Sequence, residues 1–71
     1  MKTRFWKVQI ETCKDGTVKA AVLGSREAIV KPSDDYWRDH WREVFVRWFD
    51  VEANAHNAVF VALNKKEGVA A

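Results

Sequence analysis

Six of the nine aromatic residues in this 71-residue chain lie between positions 36 and 49: Tyr36, Trp37, Trp41, Phe45, Trp48 and Phe49, with Arg38, Arg42 and Arg47 interleaved. Trp, Tyr and Arg are the types enriched where proteins grip one another. The chemistry they offer is recognition: large rings that lose water on contact, and guanidinium groups that make charge-assisted hydrogen bonds. The candidate partner-binding set is Tyr36, Trp37, Arg38, Trp41 and Arg42. The competing reading makes these rings ordinary core. Two of the four tryptophans suffice for a core of this size, and Trp6 and Trp48 are the best placed, which leaves Trp37 and Trp41 for a surface.

Bond-making chemistry finds little support. Cys13, His40 and His56 are each isolated in sequence, so neither a metal site nor a Cys-His nucleophile pair has workable spacing. The three glycines are scattered and form no phosphate-binding loop. Asp34, Asp35 and Asp39 could be paired carboxylates, but acids also gather at a helix N-terminus. A chain this short has little room for a closed pocket of several hundred Å³. No catalytic residue, metal or cofactor is expected, and the protein is read as no enzyme. A single cysteine excludes an internal disulfide framework. Cys13 reads as an ordinary thiol in a reducing, cytoplasmic setting, with an intermolecular disulfide or a reactive thiol as the sharper alternative. No apolar run approaches the roughly 20 residues of a membrane span, and no signal-peptide core follows the basic N-terminus.

Charge is uneven. Residues 1–31 hold seven Lys/Arg against three acids, a balance of +4, whereas residues 32–71 hold five against seven, a balance of −2. A basic half suits a charge-steered protein contact. It also raises a second reading, single-stranded nucleic-acid binding through Arg4, Lys7, Lys14 and Lys19. The acids at 34, 35 and 39 would repel phosphate, and the aromatic signature of a four-stranded RNA-binding sheet is missing. A third reading is a small homodimer whose aromatic patch is its own interface.

These residues need elements to position them. Arg4–Thr12 alternates with period two, with Trp6, Val8 and Ile10 on one side and Lys7, Gln9 and Glu11 on the other. Asp15-Gly16 supplies a tight turn. Alternation resumes over Thr17–Leu23 through Val18, Ala20 and Val22. Gly24 marks a bulge or bend, Glu27–Lys31 extends the strand, and Pro32 ends it.

Two readings compete from Ser33 to Phe49. Trp37, Trp41, Val44 and Trp48 form one stripe if the segment is helical. Alternatively a helical turn ends near Trp41 and Val44–Phe49 is a strand with Val44, Val46 and Trp48 on one face. The strand is preferred, because a lone hairpin is hardly stable. Asp50 then caps a C-terminal helix with Val51, Ala55, Ala58, Val59, Ala62 and Leu63 as its stripe, and Lys65, Lys66 and Gly68 end it before a frayed Val69-Ala70-Ala71. A strand over Ala58–Ala62 stays open as the alternative. The expected fold is one small α+β domain over residues 1–71: a three-stranded antiparallel sheet (β-β-β-α) with the helix on one face. Its expected core is Trp6, Val8, Ile10, Val18, Ala20, Val22, Val44, Val46, Trp48, Val51, Ala55, Val59 and Leu63.

The run of Phe5-Trp6-Lys7-Val8, Asp15-Gly16, Val18-Lys19-Ala20-Ala21, Lys31-Pro32 and Trp48-Phe49-Asp50 resembles small uncharacterised proteins encoded by phages and mobile elements of gut bacteria. The likeness covers most of the chain, although Val51–Asn57 is poorer in acids than that pattern. It implies a β-β-β-α arrangement and a bacterial or phage setting, and it carries over no catalytic residue. By analogy it implies a protein that acts by occupying a larger partner, such as an inhibitor of a bacterial defence complex.

Overall fold

The structure is a computed structural model that describes the backbone of residues 1–69 and side chains as far as Asn64. Five elements follow in order: β1 (Thr3–Cys13), β2 (Val18–Ala28), β3 (Asp35–Arg38), β4 (Arg42–Phe49) and α1 (Glu52–Val69). The fold is α+β with one antiparallel sheet and a C-terminal helix. The sheet has four strands in the order β2-β1-β4-β3, however, not the expected three.

The first hairpin forms as its alternation dictates. Gly16 takes φ +92°, its amide donates to the Cys13 carbonyl at 3.0 Å, and Asp15 Oδ1 accepts the Thr17 amide at 2.9 Å. The register slips by one between Lys7 and Val8, where Gly24 (φ +137°) lets β2 carry an extra residue. β2 stops at Ala28, short of the expected Lys31.

The unexpected strand is β3. No helical turn precedes Trp41 among the described residues, so neither sequence reading of the 33–49 segment holds before β4. The chain reverses at Asp39–Arg42, where the Asp39 amide donates to the Arg42 carbonyl at 2.9 Å. Asp39 Oδ1 accepts the amides of Trp41 (2.7 Å) and Arg42 (3.0 Å). A side-chain carboxylate pins this turn as Asp15 pins the first, here with no glycine at positive φ. Residues 29–34 then carry the chain from one sheet edge to the other. Three strand spacings are about 14 Å, and six extended residues reach about 20 Å, so little slack remains.

Cross-strand partners point to the same face, and the register therefore sorts the side chains. Ile10 pairs with Ala20 on one side and Phe45 on the other. Trp6, Val8, Ile10, Val18, Ala20, Val22, Phe45 and Phe49 thus share the face on which α1 lies. Val44, Val46 and Trp48 pair with Glu11, Gln9 and Lys7, which places them on the opposite face. The expected single core is corrected accordingly: Val44 and Val46 are buried, but away from the helix, and Trp48 is half-buried there. Phe5, absent from the expected core, is buried on that face too. On the helix, Ala55 is buried and Val59 half-buried, whereas Val51 and Leu63 are exposed.

Residues 58–62 are helical, which excludes the strand alternative. The Val51 carbonyl accepts the Asn54 and Ala55 amides at 3.1 and 3.2 Å, so Val51 and not Asp50 holds the cap position. Helix α1 runs through Gly68 to Val69; the expected fraying of Ala70 and Ala71 lies outside the described residues.

An added methyl group at Gly24 would meet no atom within 4 Å. Gly24→Ala should nonetheless destabilise the protein by about 1 kcal/mol or more in urea unfolding, because a side chain resists this positive φ. An unchanged midpoint would show that the bulge relaxes.

Candidate functional site

Both hairpin tips lie at one end of the sheet, and a single backbone bond joins them: the Lys14 amide donates to the Trp41 carbonyl at 2.8 Å. Arg42 opens β4 beside this junction. Its Nη1 sits 3.3 Å from Glu11 Oε1, its Nε 3.8 Å from Asp39 Oδ2, and its guanidinium stacks 5.1 Å from the Trp37 ring centre. Three neighbours therefore fix one cation. Trp37 is 41% exposed and Trp41 68% exposed. The His40 ring meets Trp41 edge-on at 5.0 Å between centres. A recess of about 450 Å³ lies between the tips, lined by Cys13, Lys14, Asp15, Trp41 and Arg42.

The expected partner-binding set is divided by the pleat of β3. Trp37 pairs with Val44 and shares the uncovered face with Arg42, and Trp41 stands at the turn. Tyr36 and Arg38 pair with Phe45 and Glu43, on the helix side. There Tyr36 stacks on Phe45 (4.7 Å) and its hydroxyl donates to Glu43 Oε2 at 2.8 Å, which raises the tyrosine pKa. Trp37, Trp41 and Arg42 thus form the coherent part of the set, and Tyr36 and Arg38 do not join it.

The basic set is divided as well. Arg4 lies on the helix side, bonded to Ser25 Oγ at 2.8 Å and 3.8 Å from Glu27, and Lys14 sits in the turn. Only Lys7 and Lys19 share the uncovered face. Arg26 and Arg42 join them there, against Glu11 and Asp35 among the strand residues. Trp48 belongs to this face too, with Lys7 Nζ at 5.9 Å and the Arg26 guanidinium at 5.1 Å from its ring centre. Sequence reasoning missed Trp48 and Arg26 as surface residues. The signal was present in the alternation Arg42-Val44-Val46-Trp48, legible only once Trp37 is known to sit beside it in a strand.

Cys13 is half-buried and donates to Glu11 Oε2 at 3.5 Å. Partial burial, that hydrogen bond and the nearby charges of Glu11 and Asp15 push its pKa above the ordinary 9.0. The reactive-thiol alternative is thereby disfavoured, since the nucleophile is the thiolate. Asp39 is shifted the other way, below 3.8, chiefly by the Trp41 amide and further by the Arg42 amide and guanidinium. No group of three or more His, Cys, Asp and Glu able to hold a metal occurs among the described residues. No helix among them is long and apolar enough to cross a membrane.

The helix-bearing face carries a cleft of its own. An open groove of about 980 Å³ runs between α1 and β4. Comparison with protein-family models, with curated proteins and with solved structures finds no match, so the site is read from its own geometry.

Two predictions follow from the tip. Alkylation of Cys13 should titrate above the ordinary thiol midpoint, and Glu11→Gln should bring the midpoint down by removing the negative charge and leaving only a neutral amide oxygen as acceptor; pH-dependent labelling rates measure this. Because the folded-state pKa of Asp39 is depressed, its stabilisation is complete above the ordinary carboxylate range and is lost as pH falls through the lowered value. Asp39→Ala should therefore lower Tm at pH 7 and have little effect near pH 2, as followed by circular dichroism.

Proposed function

We propose that the protein is a non-enzymatic protein-binding module that grips its partner with Trp37, Trp41 and Arg42 at the shared hairpin tips. The observation that carries this reading is a pair of solvent-exposed indoles held in place before any partner arrives. A turn bonded by Asp39 fixes the backbone at Trp41, whose ring meets His40 edge-on, and an Arg42 flanked by Glu11 and Asp39 backs Trp37. Exposed aromatic rings of fixed geometry lose little conformational entropy on binding. The recess beside Trp41 offers a seat for one partner side chain. With Lys7, Lys19 and Arg26 on the same face, a partner surface rich in carboxylates is favoured.

The resemblance to small phage and mobile-element proteins takes the same reading one step further, to an inhibitor that occupies a bacterial defence complex in the cytoplasm. That step rests on the resemblance alone.

A second reading keeps one specific support. Lys7, Lys19, Arg26 and Arg42 lie on an uncovered sheet face together with the rings of Trp37 and Trp48. That combination also suits a single-stranded nucleic acid. Against it, Lys7 and Arg26 already lie over Trp48, and Arg42 over Trp37, where bases would stack.

Affinity capture from bacterial lysate with the wild type and with a Trp37→Ala/Trp41→Ala double variant tests the proposal. The double variant should keep its circular dichroism spectrum and lose the partner, and Trp41→Ala alone should cost about 2 kcal/mol of affinity or more. Equal capture by the double variant would remove the tips from the binding surface. Nuclease-sensitive capture whose affinity falls steeply with salt, in proportion to the phosphates contacted, would favour the nucleic-acid reading instead.

A further inference from the structure

The two edges of the sheet are unlike. β3 is four residues long, and so short a strand is a poor template for another chain. β2 is eleven residues long, and among the described elements no strand pairs with its outer side. Helix α1 packs on the face of β2 and adds no backbone bond to that edge among the described residues. Before the bulge at Gly24, residues 18–22 pair with β1 without a break, so every second residue of this run turns its amide and carbonyl outward.

The two sides of the edge differ in chemistry. On the uncovered side β2 sets out Lys19 and Arg26, opposite Glu11 and Phe5 of β1. Glu11 is already engaged by Arg42 and the Cys13 thiol. On the helix side, Asn57, Ala58, Val61 and Ala62 border the groove toward β4. At about 100° per residue, Phe60 and Leu63 fall on the opposite flank of α1, toward the β2 edge, and both are exposed.

We infer that the outer edge of β2 pairs with an extended segment of a partner protein, acidic at alternate positions and apolar at those between. The backbone selects an extended chain, because another strand is what satisfies a row of alternating donors and acceptors. The period of two selects the pattern. Successive side chains of an added strand go to opposite faces, so one set meets Phe60 and Leu63 and the other meets Lys19 and Arg26. The bulge keeps those two cations in phase: their β1 partners, Glu11 and Phe5, are six positions apart, an even number. Charge selects an acidic partner. It also excludes a second copy, since β2 carries no acid on its uncovered side and two β2 strands together would set cation beside cation. Lysines and bulges on an edge guard it against unwanted pairing, and a strand bearing carboxylates is the kind they admit. This edge lies across the sheet from Trp37, so the contact is separate from the proposed binding tips.

Titration of the full chain with a short capped peptide of alternating Val and Glu, followed by amide NMR, tests this. Shifts should centre on residues 18–22, and hydrogen exchange of their outward amides should slow. N-methylation of one alternate set of peptide residues should abolish binding and of the other set should leave it, because a strand turns every second amide to its neighbour. A peptide with Lys in place of Glu should not bind. Lys19→Glu/Arg26→Glu should raise the Kd roughly tenfold or more; should that variant unfold, Lys19→Gln/Arg26→Gln serves in its place with a smaller rise. The Trp37→Ala/Trp41→Ala variant should bind the peptide as the wild type does, which keeps this edge and the tips distinguishable. Shifts centred on the tips or on the groove beside β4 overturn the inference, as do equal binding of the Lys peptide, unchanged binding of both N-methylated forms, or no shifts at millimolar peptide. Shifts at residues 18–22 that grow with the concentration of the chain alone would assign the edge to a second copy and overturn it too.

Discussion

The antiparallel pairing of β1 with β4 is the constraint on which the rest of the molecule depends. These are the two central strands, yet they stand at opposite ends of the sheet-forming sequence, and nothing local brings them together. Their register, with Ile10 opposite Phe45 and Gln9 opposite Val46, decides which side of β4 meets the helix. A slip of one residue would exchange Phe45 and Phe49 for Val44, Val46 and Trp48. The same pairing carries β3 to the outer edge and aligns the two hairpin tips, where the Lys14 amide can reach the Trp41 carbonyl.

The two faces of the sheet then acquire different characters. One is covered over β1 and β2, where small alanines let α1 approach closely, and open over β4 and β3, because one helix cannot span four strands. The other has no layer over it among the described elements, yet Val44 is only 1% exposed. It is roofed at its own level: Glu11 and Trp37 flank it across the strands, and Arg42 lies over Trp37. Long side chains that lie along a sheet can shelter small β-branched ones while keeping their charged ends in water. This cover is also what makes the face a candidate for recognition, since it presents rings and cations in a fixed order.

The tips show how a small protein stiffens a loop without disulfide or metal. Asp39 spends its carboxylate on two backbone amides and then helps to hold Arg42, whose other partner, Glu11, also accepts the Cys13 thiol hydrogen. One network thus couples the geometry of Trp37 and Trp41 to the protonation of two nearby groups. The network raises the pKa of Cys13 and lowers that of Asp39, so each holds its neutral-pH form over a wider range.

The first hairpin, its Asp-Gly turn, the Gly24 bulge and the terminal helix were all legible in the sequence, because each rests on contacts between residues close in the chain: alternation, a glycine that tolerates positive φ, and a stripe at helical spacing. The aromatic and arginine cluster was legible as composition, and Trp37, Trp41 and Arg42 are where that composition pointed. Strand β3 was not legible. Four residues are too few to display a period, and its turn is made by an aspartate side chain, not by a glycine. Without β3, Tyr36 and Arg38 could not be separated from Trp37, since only a strand sends neighbours to opposite faces. Nor could Trp48 be moved out of the core, because either face of β4 is apolar enough to be the inner one. That choice belonged to the register with β1, a pairing of residues more than thirty positions apart, and only the folded chain could make it.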